Sequence, residues 1–339
     1  MKFTGDSRLE SWLCAEAGVG WAHLGSEIPG GNSNITRMID TDRGKLILRH
    51  PPKEMVSDRA AAGIQREFAA LRALFGHAPV PEPVAFCDDA SVIGQPFSLS
   101  RYVDGTAIMD RLPADYSSGE GAAAIGRAML RAIGAAHKAD PGGRLPAWFG
   151  RPSGFIERQI DRWERVRADS RVRDLPLLDE ISPWLRANRP PALPARIVHC
   201  DFHLDNCLSS TAEPKITAII DWEMATVADP RIDLGLALFF WKRDAGRDLG
   251  FPLIQAFSNR PDVVDRASLA DDWSEASGLD STGLDYFMVF AAWRLAAIVE
   301  GAYVLYVGGK VNSDYARGLE RDVPALLEEA AEIINRGAN

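Results

Sequence analysis

The chain contains 339 residues, of which 46% are hydrophobic and 25% are charged, a composition typical of a soluble globular protein of about two domains. Its net charge of −9 weighs against nucleic-acid binding, which requires a basic surface that neutralises phosphates. The four cysteines form no disulfide framework and residues 1–6 lack the apolar stretch of a secretory signal, so we expect a cytoplasmic protein.

Two runs with strand character, 35–40 and 45–49, lie in the first part of the chain. The polar tetrapeptide between them ends in glycine, so the three pieces together predict a β-hairpin. The loop that precedes the hairpin contains Gly31, Ser33 and Asn34. Glycines and small side chains leave the main chain accessible, so the backbone N–H groups of this loop could approach phosphate oxygens closely.

Alternation along the second run places Lys45 and Arg49 on the same face of the strand. Either cation could reach a bound phosphate, and Lys45 could equally be a solvated charge at the strand edge. Residues 66–74 follow a helical pattern, and Glu67 at the start of this helix would face the strand that carries Arg49. Glu67 would then either pair with the cation or remain an exposed helical carboxylate.

Helical periodicity dominates the rest of the chain. The helix predicted over 155–166 carries Arg158 and Arg162, which face either solvent or a substrate. The most apolar segment, 286–299, is interrupted by Arg294 and is shorter than the roughly 18 residues that a membrane span requires. We therefore expect a buried core helix there and no membrane partner.

The most informative segment is 199–208, which reads His-Cys-Asp-Phe-His-Leu-Asp-Asn-Cys-Leu. Asp201 and Asn206 have the spacing D-x4-N, and Asp221 follows at the end of a β-branched run. Kinase-type phosphotransferases supply one base and two metal ligands with this arrangement. In this interpretation Asp201 accepts the proton of a hydroxyl, while Asn206 and Asp221 hold Mg²⁺, a hard ion that prefers oxygen ligands.

The same segment supports a competing interpretation as a zinc site. His199, Cys200, His203 and Cys207 are four soft ligands within nine positions, and a helix could turn three of them toward one ion. Zinc sites built from tight pairs usually have a long spacer between the pairs, which is absent here. The zinc interpretation also leaves the acidic residues unexplained, as does a plain solvated loop with one buried histidine.

Residues 199–208 resemble the catalytic loop of the aminoglycoside phosphotransferase superfamily, H-G-D-x-x-x-x-N, and Ile220-Asp221-Trp222 resembles its metal-binding segment. The resemblance continues through Asp229-Pro230 and Asp233-Leu234-Gly235. The glycine loop and the segments 48–52 and 158–163 are similar to the kinase-like domains fused or related to acyl-CoA dehydrogenases of the family 10/11 type. One departure is Cys200, which replaces the usual glycine of the loop.

This resemblance implies an α+β, two-lobed protein-kinase-like fold. Residues 1–101 would form a nucleotide-binding lobe with an antiparallel sheet and a helix, and residues 106–339 a mainly helical catalytic and substrate-binding lobe. Residues 102–105 would be the hinge between them, and ATP with Mg²⁺ would lie in the crevice.

The resemblance also implies roles for individual residues. Arg49 stands where protein kinases use lysine to bind nucleotide phosphates, and Glu67 would hold it by an ion pair. His199 and Asp233 would orient the catalytic loop without transferring a proton. The nucleotide would be bound by residues of the glycine loop, the strand, the helix and the hinge, namely Gly31, Ser33, Asn34, Arg49, Glu67, Arg101, Tyr102 and Val103.

These features predict an ATP-dependent transfer of the γ-phosphate to a hydroxyl of a small molecule. The resemblance points to a hydroxyacyl group or its CoA thioester as acceptor, and Arg158 and Arg162 favour an anionic compound. Glu223, beside the metal-binding segment, is a further candidate substrate contact. Aminoglycoside or amino-alcohol phosphorylation remains open, as does a nucleotide-binding pseudokinase. A protein kinase is disfavoured, because Asp221 lies too close to Asp229 to leave room for a peptide-binding segment.

Overall fold

Five antiparallel strands form the sheet of the amino-terminal lobe in a computed structural model that describes residues 7–28, 34–52, 58–243 and 256–337. Gly31 and Ser33 lie outside the described residues. In chain order the strands are β1 (Ala22–Glu27), β2 (Ile35–Thr41), β3 (Gly44–His50), β4 (Pro83–Cys87) and β5 (Phe97–Arg101). Their order in the sheet is β1-β2-β3-β5-β4.

The predicted hairpin is confirmed as β2 and β3. Thr41 pairs with Gly44, which leaves a two-residue turn, and Gly44 adopts a φ of 94° that suits glycine. The alternation along β3 is also confirmed, because Leu46 and Leu48 are buried in the core of this lobe whereas Arg49 points to the opposite face of the sheet.

Three helices accompany this sheet: α1 (Ser7–Glu16), α2 (Asp58–Leu74) and the short α3 (Ala90–Ile93). The apolar stripe of α2 does not join the core of the small lobe. Ala70, Leu71 and Leu74 are buried in the core of the large lobe instead, and α2 also packs on the turn that follows Asp221. Helix α2, which carries Glu67, therefore contacts both lobes.

The carboxyl-terminal lobe is mainly helical, as the kinase-like resemblance implies. Its helices are α4 (Gly119–Lys138), α5 (Phe155–Ser170), α6 (Pro176–Ala187), α7 (Arg231–Phe239), α8 (Arg266–Ser277), α9 (Leu284–Val307) and α10 (Asp314–Gly337). Helix α8 begins at a typical N-cap, because the side chain of Asp265 accepts a hydrogen bond from the N–H of Ser268 at 2.9 Å. The α+β fold predicted from the sequence is confirmed.

Short strands present the catalytic segment. β6 (Thr106–Ala107), β8 (Cys207–Ser209) and β9 (Ile216–Ile219) form one sheet, while β7 (Arg196–Val198) pairs with β10 (Thr226–Ala228). The catalytic loop leaves β7 and enters β8, and Asp221 follows β9. The segment predicted to be the hinge lies close to this sheet, since a Cβ added to Gly105 would be 2.7 Å from Oγ1 of Thr217.

Helix α9 is the central helix of the large lobe. By length and composition it could cross a membrane, but 67% of its most apolar window is buried inside the protein. Its two charged residues in the apolar stretch, Arg294 and Glu300, are also buried, and Glu300 pairs with Arg173 at 2.5 Å. Packing in the core therefore accounts for its apolar character.

The contact between α7 and α9 yields a test of the packing. A Cβ added to Gly235 would lie 2.6 Å from the main chain of Phe287, so we expect Gly235→Ala to destabilise the protein by roughly 1–3 kcal/mol. The measurement is the urea midpoint of unfolding followed by circular dichroism.

Gly301→Ala is the matched control, because Gly301 lies in α9 and a Cβ there would meet no atom within 4 Å. Alanine should be neutral at this position or should stabilise the helix by up to about 1 kcal/mol. Equal midpoints for the two variants would contradict the close approach of α7 and α9.

Candidate active site

The catalytic loop is held by a buried carboxylate. Asp233, on α7, is fully buried and accepts hydrogen bonds from the backbone N–H groups of His199 at 2.6 Å and Cys200 at 2.8 Å. A buried charge requires such donors, because it has lost its hydration. The side chain therefore holds the loop backbone directly before Asp201.

A histidine and a tryptophan extend this network into the helical core. The indole N–H of Trp273 on α8 donates to Nδ1 of His137 at 2.9 Å. Indole can only donate, so the proton of the neutral imidazole resides on Nε2, which donates to Asp233 at 3.1 Å. Neither residue could be recognised as part of the site from the sequence, because both lie on helices far from the motif and match ordinary core positions.

The ring of His199 connects the two segments that carry acidic residues. Its Nδ1 accepts a hydrogen bond from the N–H of Asp201 at 3.3 Å, and its Nε2 then donates to the carbonyl oxygen of Ile220 at 2.8 Å. The ring is fully buried and lies 4.7 Å from the ring of Trp222. Both nitrogens are engaged, so the geometry suits orientation of the loop and does not suit proton transfer.

Asp201 and Asn206 lie side by side at the mouth of the cleft. The side chain of Asp201 is 44% exposed, so it is accessible to a substrate. Nδ2 of Asn206 donates to the carbonyl oxygen of Asp201 at 2.8 Å, which fixes the orientation of the amide. Its Oδ1 has no hydrogen bond within the described part of the chain and is available as a ligand.

Arg49 joins the small lobe to the metal-binding segment. Its guanidinium forms ion pairs with Glu67 and, at 2.9 Å, with Asp221. Burial opposes the charge of Arg49, but the neighbouring carboxylates outweigh it and raise its pKa above the usual range. Burial raises the pKa of Glu67 to about 7, although Arg49 partly counteracts that shift. Glu67 is 4% exposed, so the alternative of a solvated helical carboxylate is wrong.

Lys45 occupies a different environment from Arg49. Its ammonium group lies 5.5 Å from the ring centroid of Tyr102 in the hinge, and the residue is exposed. Arg101 is engaged with the carbonyl oxygen of Arg43 at 2.7 Å. The backbone of Val103 forms no hydrogen bond to any described residue.

The four remaining predicted contact residues that the structure describes form contacts within the protein. Asn34 donates from Nδ2 to Glu223 at 2.5 Å, so these two residues meet across the two lobes. Arg158 donates to the carbonyl oxygen of Arg151 at 2.8 Å, which uses its charge to hold the start of its own helix. Arg162 lies over the ring of Trp163.

An open cavity of about 290 Å³ adjoins the catalytic loop. Asp201, Cys200 and His203 line it on the loop side, and Arg294 reaches it from α9. The remaining wall is largely apolar and includes Ile232, Leu236, Phe240, Phe290, Leu295 and Ile298. The sequence offered one sign of Arg294, a charge inside an otherwise apolar helix, which is costly to bury without a partner.

Cys200 has a left-handed backbone with a φ of 69°, which explains why the related loops have glycine at this position. Its thiol is buried against the cavity, and burial raises its pKa to about 12. Burial likewise raises the pKa of the Cys207 thiol. Both thiols are therefore protonated at neutral pH.

The oxygen donors fit magnesium and not zinc. Within the described residues, no group of three or more His, Cys, Asp and Glu side chains is arranged to hold a metal. His199, His203 and Cys207 also do not lie on one helix, which the zinc interpretation requires. Mg²⁺ is commonly bound by one or two protein oxygens together with substrate phosphates, and Asn206 and Asp221 provide such oxygens.

Comparison with known proteins agrees with this geometry. A model of the phosphotransferase enzyme family (APH) matches residues 25–271. Acyl-CoA dehydrogenase family member 11 is 27% identical over 312 residues in Gallus gallus and 29% identical over 315 residues in Mus musculus. Each match covers 90% of this chain, which spans only about 40% of the length of these relatives.

Solved structures share the fold. A Ralstonia eutropha JMP134 protein, provisionally assigned as an aminoglycoside phosphotransferase, has a TM-score of 0.80 and 27% identity, with 98% of each chain covered. Aminoglycoside phosphotransferase APH(4)-Ia, in a ternary complex with AMP-PNP and hygromycin B, has a TM-score of 0.60 and 18% identity, with 96% of this chain and 99% of that chain covered. At 18% identity, the similarity to APH(4)-Ia shows a shared fold only.

Arg49 and Lys45 lie in different environments on β3, so removing each side chain should change ATP affinity to a different extent. Arg49→Ala should weaken ATP binding by at least roughly tenfold, because it removes the charge nearest to the metal-binding segment and leaves Glu67 buried without its partner. Lys45→Ala should change the affinity less than about twofold, since Lys45 is exposed. Nucleotide titration of both variants, checked for folding by circular dichroism, measures this difference, and equal affinities would contradict it.

The backbone of Cys200 predicts which side chains the loop tolerates. Cys200→Gly should leave stability within about 1 kcal/mol of the original, because glycine relieves the left-handed strain but is more flexible when unfolded. Cys200→Val should cost about 2 kcal/mol or more, since a β-branched residue is poorly compatible with a positive φ. Urea unfolding compares the two variants. Valine as stable as glycine would show that the loop is not held in this conformation.

Proposed function

Since this chain belongs to the phosphotransferase enzyme family (APH), we propose that it transfers the γ-phosphate of ATP to a hydroxyl of a small hydroxyacyl compound, free or as a CoA thioester. One observation carries the proposal. Asp201 lines an apolar cavity, and Asn206 connects it to the segment of Asp221, because Nδ2 of Asn206 donates to the carbonyl oxygen of Asp201 at 2.8 Å and the carbonyl oxygen of Asn206 accepts from the N–H of Ile220 at 2.9 Å. A hydroxyl in the cavity would thus be within reach of Asp201, beside the proposed metal ligands.

In this mechanism, Asp201 accepts the proton of the acceptor hydroxyl while that oxygen attacks the γ-phosphorus. The bond between the γ-phosphorus and the bridging oxygen breaks, and ADP leaves with that electron pair. Asn206 and Asp221 would hold Mg²⁺, which supplies positive charge to the phosphates when it is bound. Arg49, positioned by Glu67, would bind nucleotide phosphates, and Val103 in the hinge would pair with the adenine.

The wall of the cavity supports an apolar acceptor over a cationic antibiotic. Among the described residues that line it, Asp201 is the one carboxylate, and Arg294 adds a positive charge. A polycationic aminoglycoside would require several carboxylates to offset its desolvation. The likeness to dehydrogenase family members adds independent support for an acyl compound, since these relatives are named for acyl-CoA.

A pseudokinase that binds ATP without turnover is the main alternative. The presence of Asp201, Asn206 and Asp221 in the spacing of the family motif supports catalysis. The decisive assay measures ADP release from Mg²⁺-ATP with hydroxyalkanoic acids, hydroxyacyl-CoA thioesters, aminoglycosides and amino alcohols. Turnover with aminoglycosides and none with acyl compounds would overturn the acyl acceptor but leave the kinase assignment intact.

Asp201→Asn provides the test of the base. Asparagine retains the shape of the side chain but cannot accept the proton, so we expect kcat to fall by roughly 10²–10⁴-fold. ATP affinity should change little, because Asp201 is assigned to the acceptor and not to the nucleotide. Turnover is measured by coupled ADP release and affinity by nucleotide titration. Undiminished turnover in this variant would exclude Asp201 as the base.

A further inference from the structure

Arg294 is an unusual buried arginine. Three arginines are buried in the described part of the chain, and two of them have carboxylate partners: Arg231 pairs with Asp229 at 2.7 Å, and Arg243 pairs with Glu329. Arg294 is 8% exposed and forms no ion pair with a described residue. A buried charge without a counter-charge is costly, so its presence in an apolar helix requires a reason other than stability.

The hydrogen bonds of Arg294 leave donors unused. Nη1 donates to the carbonyl oxygen of Cys200 at 2.9 Å, whereas Nε is buried and has no partner among the described residues. The side chain lines the cavity that also exposes Asp201. A ligand atom that accepts a hydrogen bond, or that carries negative charge, would supply the partner that this guanidinium lacks.

The rest of the cavity limits the chemistry of that ligand. Its other walls are mostly aliphatic and aromatic, so the body of the ligand is a hydrocarbon. The volume of about 290 Å³ holds about ten non-hydrogen atoms, at ~30 Å³ for each water-sized group. A short acyl chain combines the required parts, since it has a hydrocarbon body and an oxygen acceptor at its end.

We propose that Arg294 determines acceptor specificity by donating to the acyl oxygen of a short hydroxyacyl substrate, whose alkyl part fills the cavity and whose hydroxyl meets Asp201. This assignment rests on the proposed kinase function and deepens it. The acyl oxygen belongs to a free carboxylate or to a thioester carbonyl, and both accept from a guanidinium. The same positive charge repels a polycationic acceptor, which explains how one fold can exclude aminoglycosides.

Arg294 also supports the loop through Cys200, so its test must separate recognition of the substrate from support of the backbone. The readout is kcat/KM for matched acceptor pairs: hydroxyalkanoic acids of four to eight carbons, their CoA thioesters, and alkanediols of the same length that lack the acyl oxygen. Arg294→Met removes the donors but retains the length of the side chain. Arg294→Lys restores the charge.

We expect Arg294→Met to lower kcat/KM for acyl acceptors by about 10- to 100-fold, mainly through KM, which corresponds to a lost hydrogen bond to a charged group. The diols should lose less than about threefold, and Arg294→Lys should recover part of the acyl activity. A larger loss for the acids than for the thioesters would identify the carboxylate as the partner; the reverse would identify the thioester. Equal losses for acyl compounds and diols would overturn the proposal and leave a purely structural arginine.

Arg131→Met is the matched control, since Arg131 is exposed on α4, pairs with Asp272 at 2.6 Å and does not line the cavity.

If the Arg294 variants fail to fold, calorimetric titration of the unmodified protein with straight-chain carboxylates and alkanols of equal length tests the same contact. Carboxylates should bind at least about tenfold more tightly. Equal affinities would overturn the proposal. Absence of ADP release with every acceptor, together with preferential carboxylate binding, would refute the kinase function but not the site.

Discussion

The structure depends on one buried carboxylate. Asp233 has lost its hydration and is stable only while donors surround it, and two of those donors are backbone N–H groups at the start of the catalytic loop. This requirement holds the loop in an unusual conformation, including the left-handed Cys200. His137 completes the set of donors from a different helix. The position of the candidate base therefore follows from a charge in the core of the large lobe, and strain in the loop is offset there.

A second set of charges couples the lobes. Arg49 of the small lobe forms ion pairs with both Glu67 and Asp221, and Asn34 donates to Glu223, so polar contacts join the two lobes. These contacts occupy the groups to which Mg²⁺ and the nucleotide phosphates are assigned under the proposed function. Binding of the nucleotide would therefore exchange protein contacts for phosphate contacts and would couple nucleotide affinity to the arrangement of the lobes.

The cavity proposed to hold the acceptor follows a different physical rule. Its walls are apolar and gain by excluding water, so under the proposal the few polar groups in them carry the specificity. Asp201 and Arg294 are such groups, one acidic at the loop and one basic on α9. The arginine run on α5, which suggested an anionic acceptor from the sequence, does not line the cavity, and Arg158 holds its own helix start instead. The positive charge that does line the cavity is Arg294, on α9.

The amino-acid sequence by itself determined the local structure and the motif. Periodicity of two and of 3.6 residues reports which side chains face a core, so the β2–β3 hairpin and the helices could be predicted. The spacing of Asp201, Asn206 and Asp221 likewise identified the candidate catalytic oxygens, because short segments carry all three. Only the tertiary structure decided the partners of Asp233, the placement of α2 against the large lobe and the entry of Arg294 into the cavity. Arg294 is 94 residues from Cys200, and His137 is 96 from Asp233. Contacts over such separations arise from the packing of whole helices, which local spacing does not encode.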